Sequence, residues 1–182
     1  MKAPVTYIED FASEENKLFE TMWNEFPWER REGTPRKEVF FSDTFVEYTY
    51  GKGAGIRTYR SNPFPELLVD VRARVEMLSN ARFDVCFANG YENNREHLGW
   101  HADDSPEVDA SRPIAIVSFG AAREIWFCPI GKTEETEKLM LAPGSLCLMA
   151  PGMQATHWHR IPKAGFVCER RISLTYRGLA GK

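Results

Sequence analysis

The chain predicts an α+β fold, a barrel or two-sheet sandwich with N-terminal helices packed on one side. Three observations carry this expectation. Apolar spacing with a helical period occurs twice, both times before residue 80. From Phe83 onward, short apolar or alternating runs follow one another, parted by Gly, Pro, Asn or charged turns. A length of 182 residues, 43% hydrophobic and 27% charged, suffices for one packed domain over residues 1–182 and is too short for two large ones.

Taken in order, Ser13 with Glu14, Glu15 and Asn16 caps a short helix whose inner face is Leu18, Phe19, Met22 and Trp23. Pro27 ends it. Residues 28–37 are charged and turn-like, with Gly33 and Pro35. The aromatic and β-branched run VFFSDTFVEYTY reads as a strand or two, with a turn at Ser42-Asp43. Gly51, Gly53 and Gly55 read as a hinge or hairpin, because a phosphate loop would need a lysine-serine pair and a following helix. A second helix spans Pro65 to Ser79, with Leu67, Leu68, Val71, Val75 and Leu78 as its buried stripe. FDVCFANGY, PIAIVSFG, EIWFCPI, KLMLAP, SLCLMA and ERRISLTYR then supply strands, and Lys132 to Lys138 a polar loop between two of them.

A formal charge of -3 excludes a global basic field. Nucleic-acid binding would need a local patch, for which Arg30, Arg31, Arg36, Lys37, Lys52, Arg57 and Arg60 are candidates; solvated loop charges read equally well. The four cysteines form no CxxC pair, which fits a reducing compartment, and Cys86 and Cys147 read as small core residues. The N-terminus carries acidic residues where a signal peptide needs an apolar stretch, and no window approaches a membrane span of ~20 apolar residues. The expectation is a soluble intracellular protein, cytoplasmic or nuclear, with no membrane contact.

His101 and Asp103 stand two apart, so in an extended segment both point to one side. A histidine 56 residues on, His159, completes a set of two imidazoles and one carboxylate. Such a set holds one face of an octahedral iron and leaves three positions open. An isolated HxD is often a surface pair, but three of the chain's four histidines, His101, His157 and His159, lie at or within two residues of these positions. His157 and His159 share a strand face, and periodicity does not choose between them. In ERRISLTYR, Arg171, Ser173, Thr175 and Arg177 share the face opposite Ile172, Leu174 and Tyr176, and one of the arginines could clamp a carboxylate through a bidentate fork. A metal beside an anion anchor is the layout of an oxygenase that consumes an organic acid.

HLGWHADDSP, PIAIVSFGAAREIWF, PGSLCLMAPGMQATHWHRIPK and RRISLTYR, in that order, resemble the catalytic core of the AlkB family of iron(II)- and 2-oxoglutarate-dependent dioxygenases. The resemblance spans residues 35–178 and is strongest from Phe83 onward. It implies a double-stranded β-helix (jelly-roll) core over residues 83–178, with an N-terminal helix and substrate-recognition lid over residues 1–60. It also implies iron(II) held by His101, Asp103 and His159. 2-Oxoglutarate would be held by Asn89, Tyr91, Arg171 and Arg177, with Ser173 between the arginines, and dioxygen would be the second co-substrate.

By the same resemblance the substrate is DNA or RNA carrying 1-methyladenine- or 3-methylcytosine-type lesions, demethylated by a monomeric enzyme with release of formaldehyde. Tyr50 would stack on the flipped base, with Tyr48 lining the pocket; Phe26 and Trp28 are candidate wedges. Close relatives carry an acidic residue two positions after the iron-binding aspartate, where this chain has Ser105; Asp104 is its possible replacement as a base-reading group. Two rival readings are a 2-oxoglutarate-dependent hydroxylase of a protein side chain or small metabolite, and a β-sandwich module holding a structural zinc.

Overall fold

A computed structural model describes residues 2–12, 15–50 and 57–181, without the side chains of Glu15, Asn16, Tyr48 and Tyr50. The capping group at Ser13, the glycine loop at Gly51, Gly53 and Gly55, and Lys52 therefore lie outside the described residues. The elements run β1 (Val5–Ile8), α1 (Glu15–Glu25), β2 (Lys37–Ser42), β3 (Glu47–Tyr50), β4 (Arg57–Arg60), β5 (Asn62–Pro63), α2 (Val69–Ser79), β6 (Val85–Tyr91) and β7 (Leu98–His101). They continue as β8 (Ile114–Gly120), β9 (Arg123–Pro129), β10 (Glu137–Leu141), β11 (Leu146–Met149), β12 (His157–Ile161) and β13 (Arg171–Arg177).

Among the described residues these strands form a seven-stranded sheet in the order β1-β11-β8-β13-β6-β2-β5, a four-stranded sheet β10-β9-β12-β7, and the hairpin β3-β4. From β6 to β13 the chain alternates between the two larger sheets, with only β9 and β10 consecutive in one, and all the pairings are antiparallel. This is a jelly-roll core. The space between the sheets is filled at one end by Ile114, Ile116, Ile125, Phe127, Leu141, Cys147 and Met149, contributed by both.

The large sheet is covered on its other face as well. Phe19, Met22 and Phe26 from the first helical region and Leu68, Val71 and Val75 from the second pack against Val117, Phe119, Ile172, Leu174 and Tyr176. Burial on both faces explains why β6, β8 and β13 lack a clean solvent-facing alternation. Each large side chain so buried stabilises the domain by roughly 1.5–3 kcal/mol. Cys86 and Cys147 are fully buried, and burial pushes their thiols up, that of Cys147 to about 12.

Several boundaries differ from expectation. β1 was not anticipated; four residues pairing with β11 at a sheet edge give too little alternation to recognise. VFFSDTFVEYTY does supply two strands, but β2 joins the large sheet while β3 pairs with β4. The second helix opens with a 3-10 turn over Glu66–Leu68. Leu78 is half exposed, not buried: the helix ends at Asn80 in the left-handed region (φ 50°), the chain turns back, and Phe83 fills the core instead. Glu137 and Lys138, expected in the polar loop, already belong to β10. Among the described residues no helix is long and apolar enough to cross a membrane.

Gly120 closes β8 with φ +77°, and a Cβ there would meet the carbonyl of Arg170 and the ring of Phe19 at 2.7 Å. Gly120→Ala is expected to destabilise the fold by about 2–4 kcal/mol in urea denaturation. Gly131→Ala, at φ +81° with open space around it, is expected to cost only about 1–2 kcal/mol.

Candidate metal centre and anion pocket

β7 and β12 are neighbours in the small sheet, and their register sets His101 directly opposite His159. A direct antiparallel pair projects both side chains to the same face, here the interior. The imidazole centroids are 4.1 Å apart. Asp103 follows β7 and turns in beneath them, with Oδ1 3.8 Å from His101 Nε2 and Oδ2 3.9 Å from His159 Nε2. The three groups offer ligand atoms that all lie within 4.8 Å of one another, so one cation can be held between them. His101 Nδ1 is bound to the Gly99 carbonyl oxygen at 2.9 Å, which turns its Nε2 toward the centre. The backbone N–H of Asp103 donates to Gln154 Oε1 at 3.0 Å, fixing the turn that carries the carboxylate.

The protonation states suit a cation. Burial, partly offset by Asp103, pushes His101 down; burial and His101 push His159 to about 3. Burial alone would raise Asp103, but Arg177 and the two histidines hold it at about 2. At neutral pH the centre therefore presents two neutral imidazoles and a carboxylate. His157 is also buried, yet its Nδ1 is shared with Thr156 Oγ1 at 2.8 Å and it is not part of the cluster. The ambiguity left by spacing resolves toward His159.

β13 forms the opposite wall. It lies between β6 and β8, with Ser173 opposite Asn89 on one side and Ser118 on the other, and Arg171 opposite Tyr91. Arg171, Ser173, Asn89 and Tyr91 are thus gathered on one inner face. Arg177 donates from Nη2 to Asp103 Oδ1 at 2.8 Å. Arg171 is fully buried, donates from Nη2 to Ser118 Oγ at 3.0 Å and lies over the ring of Tyr91 at 5.3 Å. Its Nε and Nη1 have no acceptor, and no carboxylate pairs with it among the described residues. Burial pulls its guanidinium down to about 10, which leaves it charged at neutral pH. A buried cation with two idle donors fits an anionic ligand, and a fork of N–H groups fits a carboxylate.

The substrate-side residues fare differently. Tyr48 and Tyr50 lie on β3 with backbones opposite Tyr59 and Arg57, and their side chains lie outside the described residues. Asp104 and Ser105 line a second cavity with Gln154, Ile114 and Ala150, reaching Asp103 from behind. The cavity in front of the metal ligands is lined instead by Arg36, Tyr59, Phe87, Asn89, Leu98 and Arg177. Phe26 and Trp28 pack together at 5.5 Å, Phe26 is buried in the core, and neither forms an exposed wedge. Phe87 and Ser118 could have been found from the sequence, since they share strand faces with Asn89 and Ile116. Arg36 and Tyr59 carry no such signal, because tertiary placement alone brings them in.

The proposed basic patch is largely neutralised. Arg30 pairs with Glu92 and Glu96, Arg31 with Glu29, Arg36 with Glu38, Lys37 with Glu92 and Arg60 with Glu47. Arg57 donates to Thr34 Oγ1 at 3.2 Å. The buried Arg123 of the SFGAAR segment serves structure, donating to the carbonyls of Glu96 and Pro162 at 2.9 and 2.5 Å.

Two outcomes follow for the centre. Mn(II) is expected to raise the melting temperature of the wild type and of His157→Ala and to leave that of His159→Ala unchanged. In metal-free protein, unfolded histidine takes up a proton near pH 6.5 whereas folded His159 resists down to about 3. Its destabilising effect is absent above pH 6.5 and grows as pH falls through that window, so melting temperature should drop there, less so in His159→Gln.

Comparison with known proteins agrees with this architecture. Residues 4–177 match the 2OG-Fe(II) oxygenase superfamily. The chain is 36% identical over 151 residues to the Bos taurus DNA oxidative demethylase ALKBH2, covering 79% of this chain and 52% of that protein. It is 28% identical over 177 residues to the Rattus norvegicus alpha-ketoglutarate-dependent dioxygenase alkB homolog 3, covering 88% and 58%. The chain thus spans little more than half the length of these relatives. The solved structure of OsALKBH1 superposes with a TM-score of 0.65 at 14% identity, covering 97% of this chain and 99% of that one, a likeness of fold. With the matched residues running through both walls of the metal centre, the chain belongs to the 2OG-Fe(II) oxygenase superfamily, on its AlkB branch.

Proposed function

We propose that this protein oxidatively demethylates N-alkylated bases of DNA or RNA, with lesions of the 1-methyladenine and 3-methylcytosine type as substrates. The observation that carries the reading is the pairing of a two-histidine, one-carboxylate centre with a buried guanidinium that no carboxylate answers, in one jelly-roll interior. Kinship with proteins named as DNA oxidative demethylases supports the substrate class.

In this reading His101, Asp103 and His159 would hold iron(II) through Nε2, a carboxylate oxygen and Nε2. Arg171 takes the distal carboxylate of 2-oxoglutarate, with Tyr91, Asn89 and Ser173 lining its path. The chemistry supplied when iron(II), 2-oxoglutarate and dioxygen are bound is oxidation of an N-methyl carbon, with succinate, carbon dioxide and formaldehyde as products. Arg177 holds Asp103 in its ligating orientation from the wall of the same cavity. Phe87 and Leu98 exclude water at the front of the centre, and Tyr59, edge-on to Phe87 at 4.9 Å, closes the wall.

A base paired in a duplex does not reach such a cavity, so the nucleotide is extruded or already single-stranded, at a cost of a few kcal/mol. Residues 1–60 then act as the recognition lid on a catalytic core of residues 83–178, with Tyr48 and Tyr50 at the base, whereas Asp104 and Ser105 line the cavity on the other side of Asp103. The basic side chains of the lid exchange surface carboxylate partners for phosphates; exposed pairs are worth only ~0–1 kcal/mol, so the exchange is cheap. The reading takes the enzyme to be a monomer. A nucleic-acid substrate suits a cytoplasmic or nuclear enzyme.

The neutralised patch, together with Ser105 in place of an acid, favours a second reading: hydroxylation of a protein side chain or small metabolite by the same centre. Incubation with iron(II), 2-oxoglutarate and either methylated or unmethylated oligonucleotide separates the two. Formaldehyde and loss of one methyl mass are expected only with the methylated strand. Arg171→Ala is expected to raise the KM for 2-oxoglutarate by at least tenfold. Turnover of 2-oxoglutarate that never depends on a base methyl group would overturn the demethylase reading.

A further inference from the structure

We propose that Arg36 is a positioning residue for the co-substrate, acting through the amide of Asn89; the inference rests on the 2-oxoglutarate reading above. Arg36 immediately precedes β2, whose register sets Glu38 opposite Asn89 and Lys37 opposite Gly90. It is only 8% exposed. Nε donates to Asn89 Oδ1 at 2.6 Å, and Nη2 meets Glu38 Oε1 at 2.5 Å. Glu38 is itself 1% exposed and accepts a hydrogen bond from the Tyr59 hydroxyl at 3.0 Å. The guanidinium is therefore clamped from two sides before any ligand arrives.

The consequence falls on Asn89. A free asparagine amide has two nearly equivalent orientations, one presenting an acceptor and the other a donor to a given direction. Here the acceptor oxygen is taken by Arg36, so the amide keeps its NH2 as the group with hydrogens to give. Arg36 and Asn89 both line the cavity that holds His101, Asp103 and Arg177. A dicarboxylic acid offers that cavity only acceptor oxygens, so a donor-only amide is the useful orientation and the flipped one is repulsive. Arg36 thus selects the productive face of Asn89. The Glu38–Tyr59 contact makes the same guanidinium the joint between the β3-β4 hairpin and the co-substrate wall.

The test is calorimetric titration of 2-oxoglutarate into Mn(II)-loaded full-length protein, with KM and kcat for 2-oxoglutarate turnover alongside. Arg36→Lys keeps a charge beside Glu38 but lacks the fork needed to hold both partners at once. Arg36→Met/Glu38→Gln removes the ion pair as a unit, so that no buried charge is stranded. Both are expected to bind 2-oxoglutarate about five- to tenfold more weakly, with KM raised, kcat near wild type and Mn(II) affinity unchanged. In an Asn89→Ala background, Arg36→Lys is expected to add nothing, because the group it acts through is gone. Wild-type affinity in both Arg36 variants, or an equal loss with and without Asn89, overturns the proposal. A wild-type protein that takes up Mn(II) but no 2-oxoglutarate overturns the functional reading first, and the role of Arg36 with it.

Discussion

β13 carries two buried guanidinium groups into the interior, and the disposition of charge around them governs the rest of the molecule. Arg177 is answered within the chain by Asp103 at 2.8 Å. Arg171 is answered by the Ser118 hydroxyl and by Tyr91, and by no carboxylate among the described residues. Removing a partner from a buried charge costs several kcal/mol, so an anion that met the idle donors of Arg171 would add to the stability of this interior. Arg123, the other guanidinium buried without a carboxylate, is met by the carbonyls of Glu96 and Pro162 instead. The same asymmetry orders the site, since the arginine already satisfied stands beside the metal ligands and the unsatisfied one lies six residues along the strand.

The jelly roll makes this arrangement affordable by dividing its interior. One end is closed by aliphatic and aromatic groups from both sheets, including Ile114, Ile116, Ile125, Leu141 and Met149, all at 5% exposure or less. The other carries the polar faces of β13 and β6 toward β7 and β12. Behind the large sheet, the helices bury a second core on Ile172, Leu174 and Tyr176, the alternate residues of the strand that supplies Arg171 and Arg177. One side of β13 therefore anchors the strand while the other presents chemistry. Precise register of the polar side depends on packing of the apolar one, because a slip of one residue would exchange them.

How much of this could be read beforehand follows from where each signal resides. The alternation in ERRISLTYR separated the anchoring residues from the polar ones correctly, yet a polar strand face usually faces solvent, and composition alone does not tell a wet exterior from a ligand cavity. His101 and Asp103 were legible because two residues of extended chain place them together; the choice of His159 over His157 needed the strand register. β1 and β5 were too short to announce themselves. Asp104 and Ser105 fell behind Asp103 because the chain turns after β7, and adjacency in sequence does not survive a turn. The basic cluster was visible as residues, and Glu29 stands beside its partner Arg31, but Glu92 and Glu96, which pair with Lys37 and Arg30, lie far along the chain. Arg36 belonged to that cluster in the sequence and to the cavity in the fold.

The centre is consequently a property of the whole domain. Its groups come from β4, β6, β7, β12 and β13, from Arg36 just before β2 and from Asp103 just after β7, separated by as many as 141 residues between Arg36 and Arg177. None of these segments holds two walls of the cavity by itself, so an unfolded chain offers a cation or a dicarboxylate little beyond isolated side chains. A ligand that binds only the folded state stabilises it by mass action, about 2.7 kcal/mol at a hundred times its dissociation constant. For a domain of this size that is a sizeable part of a total stability of roughly 5–15 kcal/mol. A cation and an anion bound here would thus add to the stability of the fold, and the buried charges that weaken it are the same ones that would reward occupancy.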